Sequence, residues 1–283
     1  MRLKGWWLRP LMYLGGLLAA VAVAGIARAA DLVIPGSGNP EHVLTLLAED
    51  FNTQQIVNRV TVPPSSGTAG AIRDVLAGTA VLGRLGRKLK PDEAAQGLAY
   101  IPLGRDPVAF AGGSGVTING LTHAQAVEAY SGQAANWMAF GGQPGPIRAI
   151  GRESTDASRQ AINRVLPAFE NMMFGEGVKI VHLDPQLIEL LDRFPGALGF
   201  LNRSALASAK TKIVYLAFNG VEPTAENVEA GRYPLWLEFG LVHRTGVLPP
   251  EARGFVDYLR SASALRILKT QGVLAAAEAP QPR

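Results

Sequence analysis

The stretch "DLVIPGSGNPEHVLTLLAEDF", residues 31–51, reads as a strand, a glycine- and serine-rich turn, and an amphipathic helix. Leu32, Val33 and Ile34 form a short apolar run over 31–36 that stops at Pro35-Gly36. From residue 40 the apolar period lengthens to that of a helix, with Val43, Leu46, Leu47 and Phe51 on the face to be buried. Pro40 suits the first helical position, where its missing N–H costs little. A strand feeding a helix through a tight turn is half of a crossover unit. Whether the unit recurs decides the fold.

It recurs along the chain. "NRVTVPP" (58–64) reads as a strand and "AGAIRDVLAG" (69–78) as a helix that ends at Gly78. Strands are expected at 99–103, 107–111, 146–150, 178–182 and 196–200, with helices at 122–130, 157–166 and 185–193. "TKIVYLAF" (211–218) and "LWLEFGLVH" (235–243) read as strands, and 249–271 as two helices. Alternation of this kind argues for an α/β architecture with largely parallel sheets. Excluding the leader described next, about 250 residues is large for a single core, so two lobes are expected.

The N-terminus carries an address. Arg2, Lys4 and Arg9 precede the apolar run "LMYLGGLLAAVAVAGIA" (11–27), and Ala27-Arg28-Ala29 fits a signal-peptidase site. Residues 1–29 are therefore expected to be a cleaved signal peptide and the protein to be periplasmic. No cysteine follows the run, which excludes a lipid anchor at that site. Of the 27 Lys and Arg residues, four lie in this leader, leaving 23 against 23 Asp and Glu. The balance is neutral, which removes the electrostatic support for a nucleic-acid partner.

Several chemistries are absent. The chain has no cysteine, so disulfides, thiol catalysis and zinc–thiolate sites are excluded. Neither the nucleophile-elbow pattern nor a phosphate loop ending in Gly-Lys occurs. His42, His123, His182 and His243 show no ligand spacing. Asp184 and Glu189 read as ordinary partners of a helix dipole. No catalytic residue, metal or cofactor is expected, and the chain is read as a non-enzyme.

Three Gly/Ser-rich loops that open helices remain: "PGSGNPEHV" (35–43), "PPSSGTAGAI" (63–72) and "GRESTDASRQAI" (151–162). A helix N-terminus offers unpaired N–H groups and a partial positive charge, which suits an anion. Each loop alone is equally consistent with ordinary capping, and Asp156 in particular is a preferred N-cap. Arg84, Arg159 and Glu153 read as solvated.

These loops, in this order, resemble those of the periplasmic phosphate-binding proteins of ABC importers. "LGRLGRKLKPDE" (82–93), "AYSGQAANWMAFGG" (129–142), "GALGF" (196–200) and "VEPTAENVEAGRYPLWLEFGLVHR" (221–244) match further landmarks of that family. The resemblance implies a two-lobed periplasmic-binding-protein fold whose chain crosses between lobes twice, near 104–110 and 214–220. One lobe would be 31–106 plus 217–283, the other 107–216. It implies a small oxyanion, phosphate first, held by Ser37, Gly38, Ser66, Gly67, Arg87, Arg152, Asp156 and Ser158. An inner-membrane ABC permease is the implied partner, with a membrane sensor as the alternative if transport has been lost, and the protein would be a monomer. Two positions depart from the family: Gly86 stands where a serine is usual, and Asp156-Ala157-Ser158 replaces a Ser-Gly-Thr run.

Overall fold

The computed structural model describes residues 31–54, 59–210, 212–246 and 248–276. The expected signal peptide and residues 277–283 lie outside the described residues. The strands are β1 (Leu32–Val33), β2 (Val60–Thr61), β3 (Gly83–Leu85), β4 (Leu98–Gly112), β5 (Gly120–Leu121), β6 (Arg148–Arg152), β7 (Lys179–Val181), β8 (Ala197–Asn202), β9 (Val214–Phe218), β10 (Trp236–Arg244) and β11 (Leu274–Ala275). The helices are α1 (Glu41–Gln54), α2 (Gly67–Ala77), α3 (Pro91–Ala94), α4 (His123–Ser131), α5 (Ala157–Asn163), α6 (Pro167–Glu170), α7 (Asp184–Arg193), α8 (Arg203–Leu206), α9 (Ala225–Glu229), α10 (Pro250–Tyr258) and α11 (Ala262–Thr270).

The α/β class stands, but the sheet is mixed rather than largely parallel. Its spine runs β3-β10-β4-β8-β6-β7, and β4 pairs antiparallel with β10, β8, β9 and β11. Among the described strands, parallel pairing occurs at β1–β2, β5–β9, β6–β7 and β6–β8, with one isolated parallel bridge between Gly36 and Arg84. The two strands expected at 99–103 and 107–111 are one strand of 15 residues. Along β4, residues 98–107 pair with β10 and residues 108–112 with β8. One strand thus serves two sheet regions by exchanging partners at Pro107-Val108.

Local sequence explains the flanking elements. On α1 the buried face is Val43, Leu44, Leu47, Ala48 and Phe51, so Leu44 takes the place expected of Leu46. Pro40 lies one residue ahead of the helix, its carbonyl accepting from Leu44 N at 2.9 Å. Gly78, at φ 75°, ends α2 in the left-handed conformation that glycine adopts without a Cβ penalty. The helix expected over 157–166 stops at Asn163, because Pro167 begins a separate short turn. Trp137–Phe140 forms a 3₁₀ turn.

The core is built on aromatic contacts. Phe110 on β4, Tyr130 on α4, Phe169 on α6 and Phe200 on β8 are fully buried, and Tyr130 and Phe200 each contact the other three rings at centroid distances of 5.1–6.2 Å. A second group, Phe51, Phe255 and Tyr258, packs α1 on α10. Burying side chains of this size contributes roughly 1.5–3 kcal/mol each. These contacts fix the strands whose ends carry the polar loops.

Candidate functional site

The three loops come together. A cavity of about 400 Å³ is lined from loop one by Ser37, Gly38 and Asn39, from loop two by Ser65 and Gly67, and from loop three by Arg152 and Asp156. Arg87 and Lys90 close one side and His182 to Asp184 another. The crevice lies beyond the carboxyl ends of β6 and β7, the usual place for a ligand in such sheets.

Loops one and two are held by an arginine read as solvated from the sequence. Arg84 is fully buried. Its Nε donates to Ser37 O at 2.7 Å, and Nη1 donates to Ile34 O at 2.5 Å. Nη2 serves Pro63 O at 2.7 Å and the Glu41 carboxylate at 2.9 Å. Burial lowers its pKa, and Glu41 opposes that shift. Gly36 bridges the same residue, and a Cβ there would stand 2.1 Å from Arg84 O. Only glycine allows that approach. Glu153, in contrast, is exposed as expected, while Arg159 is half-buried with its guanidinium 4.3 Å from the Phe174 ring centroid.

Six of the eight expected ligand residues line the cavity: Ser37, Gly38, Gly67, Arg87, Arg152 and Asp156. Ser66 does not. Its hydroxyl lies back over Gly70, and its neighbour Ser65 faces the cavity while bonding Gly36 O at 3.2 Å and Gly67 N at 3.3 Å. Ser158 is buried behind the wall, its hydroxyl accepting from Asn39 Nδ2 at 3.0 Å. Ser37 lends its amide to Arg84 O at 3.0 Å and its hydroxyl to Asn39 Oδ1 at 3.3 Å. Arg87 forks onto Glu93 at 2.8 and 2.6 Å, and this bond holds the Glu93 carboxyl below its ordinary pKa.

Arg152 dominates the electrostatics. It is buried at the end of β6, and its Nη2 donates to Asp156 Oδ2 at 2.9 Å and to His182 O at 3.2 Å. Those two bonds use both Nη2 protons. Asp184 Oδ1, 2.8 Å from the same nitrogen, therefore makes a charge contact without a proton of its own. Arg152 Nε and Nη1, with three N–H bonds between them, have no partner in the protein and are buried. Asp156 both caps α5, accepting from Arg159 N at 3.0 Å, and pairs with Arg152. The capping role read from the sequence is present, and the ion pair with Arg152 is a further contact.

Asp184, which reads from the sequence as a dipole partner, is a wall of the cavity. Burial raises its pKa most, Arg152 opposes the shift, and Asp156 and Glu41 add to it. The signal that finds it is the register Arg152↔Val181, which sets residues 182–184 beside the end of β6. Asn39 was also missed. A buried residue of the cavity lining, it donates to Asn202 Oδ1 at 3.0 Å, and Asn202 Nδ2 donates to Asp106 Oδ2 at 2.7 Å and to Asn39 O at 2.9 Å. Ser204 N donates to Asp106 Oδ1 at 3.2 Å, and the Ser204 hydroxyl also bonds this carboxylate. At the departure from the family pattern, a Cβ on Gly86 would stand 2.7 Å from Ser37 Oγ and 2.9 Å from Asn39 Oδ1. A serine there would displace both. Among the described residues no group of histidines and carboxylates is arranged to hold a metal.

Comparison with known proteins agrees with the architecture. The model of the PBP superfamily domain matches residues 22–263. The chain is 23% identical over 194 residues to the phosphate-binding protein PstS of Borreliella burgdorferi, covering 66% of this chain and 70% of that one. It is 29% identical over 132 residues to the phosphate-binding protein PstS of Bacillus subtilis, covering 47% and 42%. Among solved structures, a phosphate ABC transporter substrate-binding protein from Clostridium perfringens with bound phosphate is similar at TM-score 0.75. That match has 22% identity and covers 88% of this chain and all of that one. An ABC-type phosphate transport receptor from Vibrio cholerae is similar at TM-score 0.62 and 22% identity, covering 86% and 99%. The structural likeness establishes a two-lobed binding-protein fold.

Proposed function

The chain belongs to the PBP superfamily, and on that premise we propose that it is an exported solute-binding protein. It captures a small oxyanion, phosphate first, between its lobes and presents it as a monomer to an ABC importer in the inner membrane. The lobes are 31–106 with 217–283, and 107–216, and the partner exchange of β4 at Pro107-Val108 supports that boundary. The reading includes no catalytic step. The leader at 1–29 supports export, and among the described residues no helix is long and apolar enough to cross a membrane.

The observation that carries this reading is the set of three unpartnered, buried N–H bonds on Arg152 in a cleft where three loops converge. Buried donors without acceptors are costly, and an oxyanion supplies acceptors in the matching planar geometry. The relatives named for phosphate binding support the choice of anion. Calorimetry with inorganic phosphate tests it. Phosphate binds the parent, and Arg152→Met weakens that binding by about ten- to a hundredfold, the loss of a charge-assisted bond.

A second reading has its own observation. Two carboxylates, Asp156 and Asp184, already contact Arg152 within 2.9 Å. A plain phosphate ion must share the guanidinium with both. A parent protein that fails to bind phosphate fits a sensor or interaction module that keeps the fold and has given up transport.

A further inference from the structure

The cleft does not end at Asp184. A second cavity of about 820 Å³ opens on its far side, between α1 and α7, and shares Gly38, Ser65, Leu183 and Asp184 with the first. It is lined by buried Asp184, half-buried Glu41 and the exposed Glu189, Arg193 and Lys210. Asp184 is buried, and its Oδ2 has no hydrogen-bond partner. That oxygen faces Gly38, where a Cβ would stand 3.2 Å away.

Charge balance at the junction is unfavourable for a bare anion. Arg84 is matched by Glu41, and Arg152 faces Asp156 and Asp184 together. With both aspartates ionised these five side chains sum to one negative charge before any ligand arrives, while Arg87, itself paired with Glu93, and Lys90 stand on another wall of the first cavity. A phosphoryl group on the free N–H bonds of Arg152 adds more negative charge and draws the guanidinium away from Asp184. A buried carboxylate that loses its cation is strongly disfavoured. A ligand that brings its own positive charge to Asp184 removes this penalty.

We propose that the cleft takes a phosphoryl compound bearing its own ammonium, an aminoalkyl phosphonate or phosphate. Its phosphoryl oxygens lie on Arg152 and its ammonium lies beside Asp184 on the Glu41 side. This rests on the oxyanion reading above and names the class of ligand within it. The linker is short, because both ligand charges must straddle a contact of 2.8 Å between Arg152 and Asp184. The larger cavity provides room for the amine end that phosphate alone leaves empty.

The test compares 2-aminoethylphosphonate with propylphosphonate, its near-isostere without the charge, and with inorganic phosphate, by calorimetry on the purified protein at pH 7.5. The amine is expected to bind at least about tenfold more tightly than propylphosphonate, the size of a desolvated charge pair. Asp184→Asn is expected to shrink that ratio toward one while improving propylphosphonate binding, since the repulsion is gone. A merely structural Asp184 would weaken both ligands alike. If this variant does not fold, the ligand pair on the parent still decides. Equal affinity of the parent for the two phosphonates overturns the proposal; if phosphate binds in that case, the oxyanion reading stands without it. Phosphate affinity that falls as pH rises, with no gain from the amine, also overturns it, because a proton on Asp184 then supplies the missing charge. Binding of the amine without binding of phosphate supports the proposal. Failure of all three anions overturns both readings.

Discussion

Arg84, in the middle of β3, and Arg152, at the end of β6, are both buried arginines, and the difference between them is in what their donors do. Arg84 directs its fork to Ile34 O, Ser37 O, Pro63 O and Glu41, so it closes a structural junction between loops one and two. Arg152, which lines the cleft, leaves Nε and Nη1 buried without a partner. A fully satisfied arginine is scaffold; a partly satisfied one is prepared for a ligand. Arg84→Met therefore strands three carbonyls and a half-exposed carboxylate, and is expected to cost about 3–5 kcal/mol. Arg84→Lys recovers little of this, because an ammonium cannot reproduce the planar fork. Chemical denaturation of the three proteins measures it, and a lysine variant as stable as the parent would return Arg84 to a simple charge. Sequence spacing carried no hint of this division, since both residues follow a glycine or short apolar run and differ only in their distant partners.

At the scale of elements, β4 explains where reading the sequence worked and where it stopped. Helix faces and caps were legible because their causes are local: the apolar period of α1, Gly78 after α2, and Asp156 before α5. The segment Gly104-Arg105-Asp106-Pro107 looked like a break between two strands. It is continuous because its causes are distant: Gly104 admits the Leu274 carbonyl, where a Cβ would stand at 2.7 Å, and Pro107 lies where β4 changes partner. The cleft shows the same division, with its loops visible in sequence and Asp184 and Asn39 visible only through register and packing. Asp106 shows what the continuity is for. Burial pushes its pKa up from 3.8 to about 6, against the pull of hydrogen bonds from Ser204 and Asn202. A carboxyl raised in the folded state contributes stability below its unfolded pKa and loses it as pH rises through the folded value. Relative to Asp106→Asn, the parent should thus lose on the order of 1–3 kcal/mol between pH 4 and pH 7. Parallel denaturation curves for the two proteins at both pH values would show that Asp106 keeps an ordinary carboxyl.

The whole molecule adds a question that neither residue nor element answers: what holds the proposed lobes at a fixed angle. Asn39 belongs to loop one, Ser158 to α5, Asn202 to the end of β8 and Asp106 to β4 just before its partner exchange. Their hydrogen bonds form one buried chain from the wall of the cleft to the crossing strand, Ser158 and Asn202 each receiving a bond of 3.0 Å from Asn39 Nδ2. If the proposed lobes close about such a chain, the motion is a rotation with the buried end as pivot and the loops at the mouth moving furthest. Asn39→Ala removes both of these bonds and leaves Asn202 Oδ1 and Ser158 Oγ buried without that donor, a loss of about 1–3 kcal/mol. Part of this falls on the closed arrangement, so the ligand-free variant should be more open and bind its anion about tenfold more weakly. Small-angle scattering reads the first effect as a larger radius of gyration without ligand, and calorimetry reads the second. If affinity falls while the radius stays at the parent's value, Asn39 acts only through Ser37, whose hydroxyl it accepts at 3.3 Å, and the angle between lobes is set by the crossing strands alone.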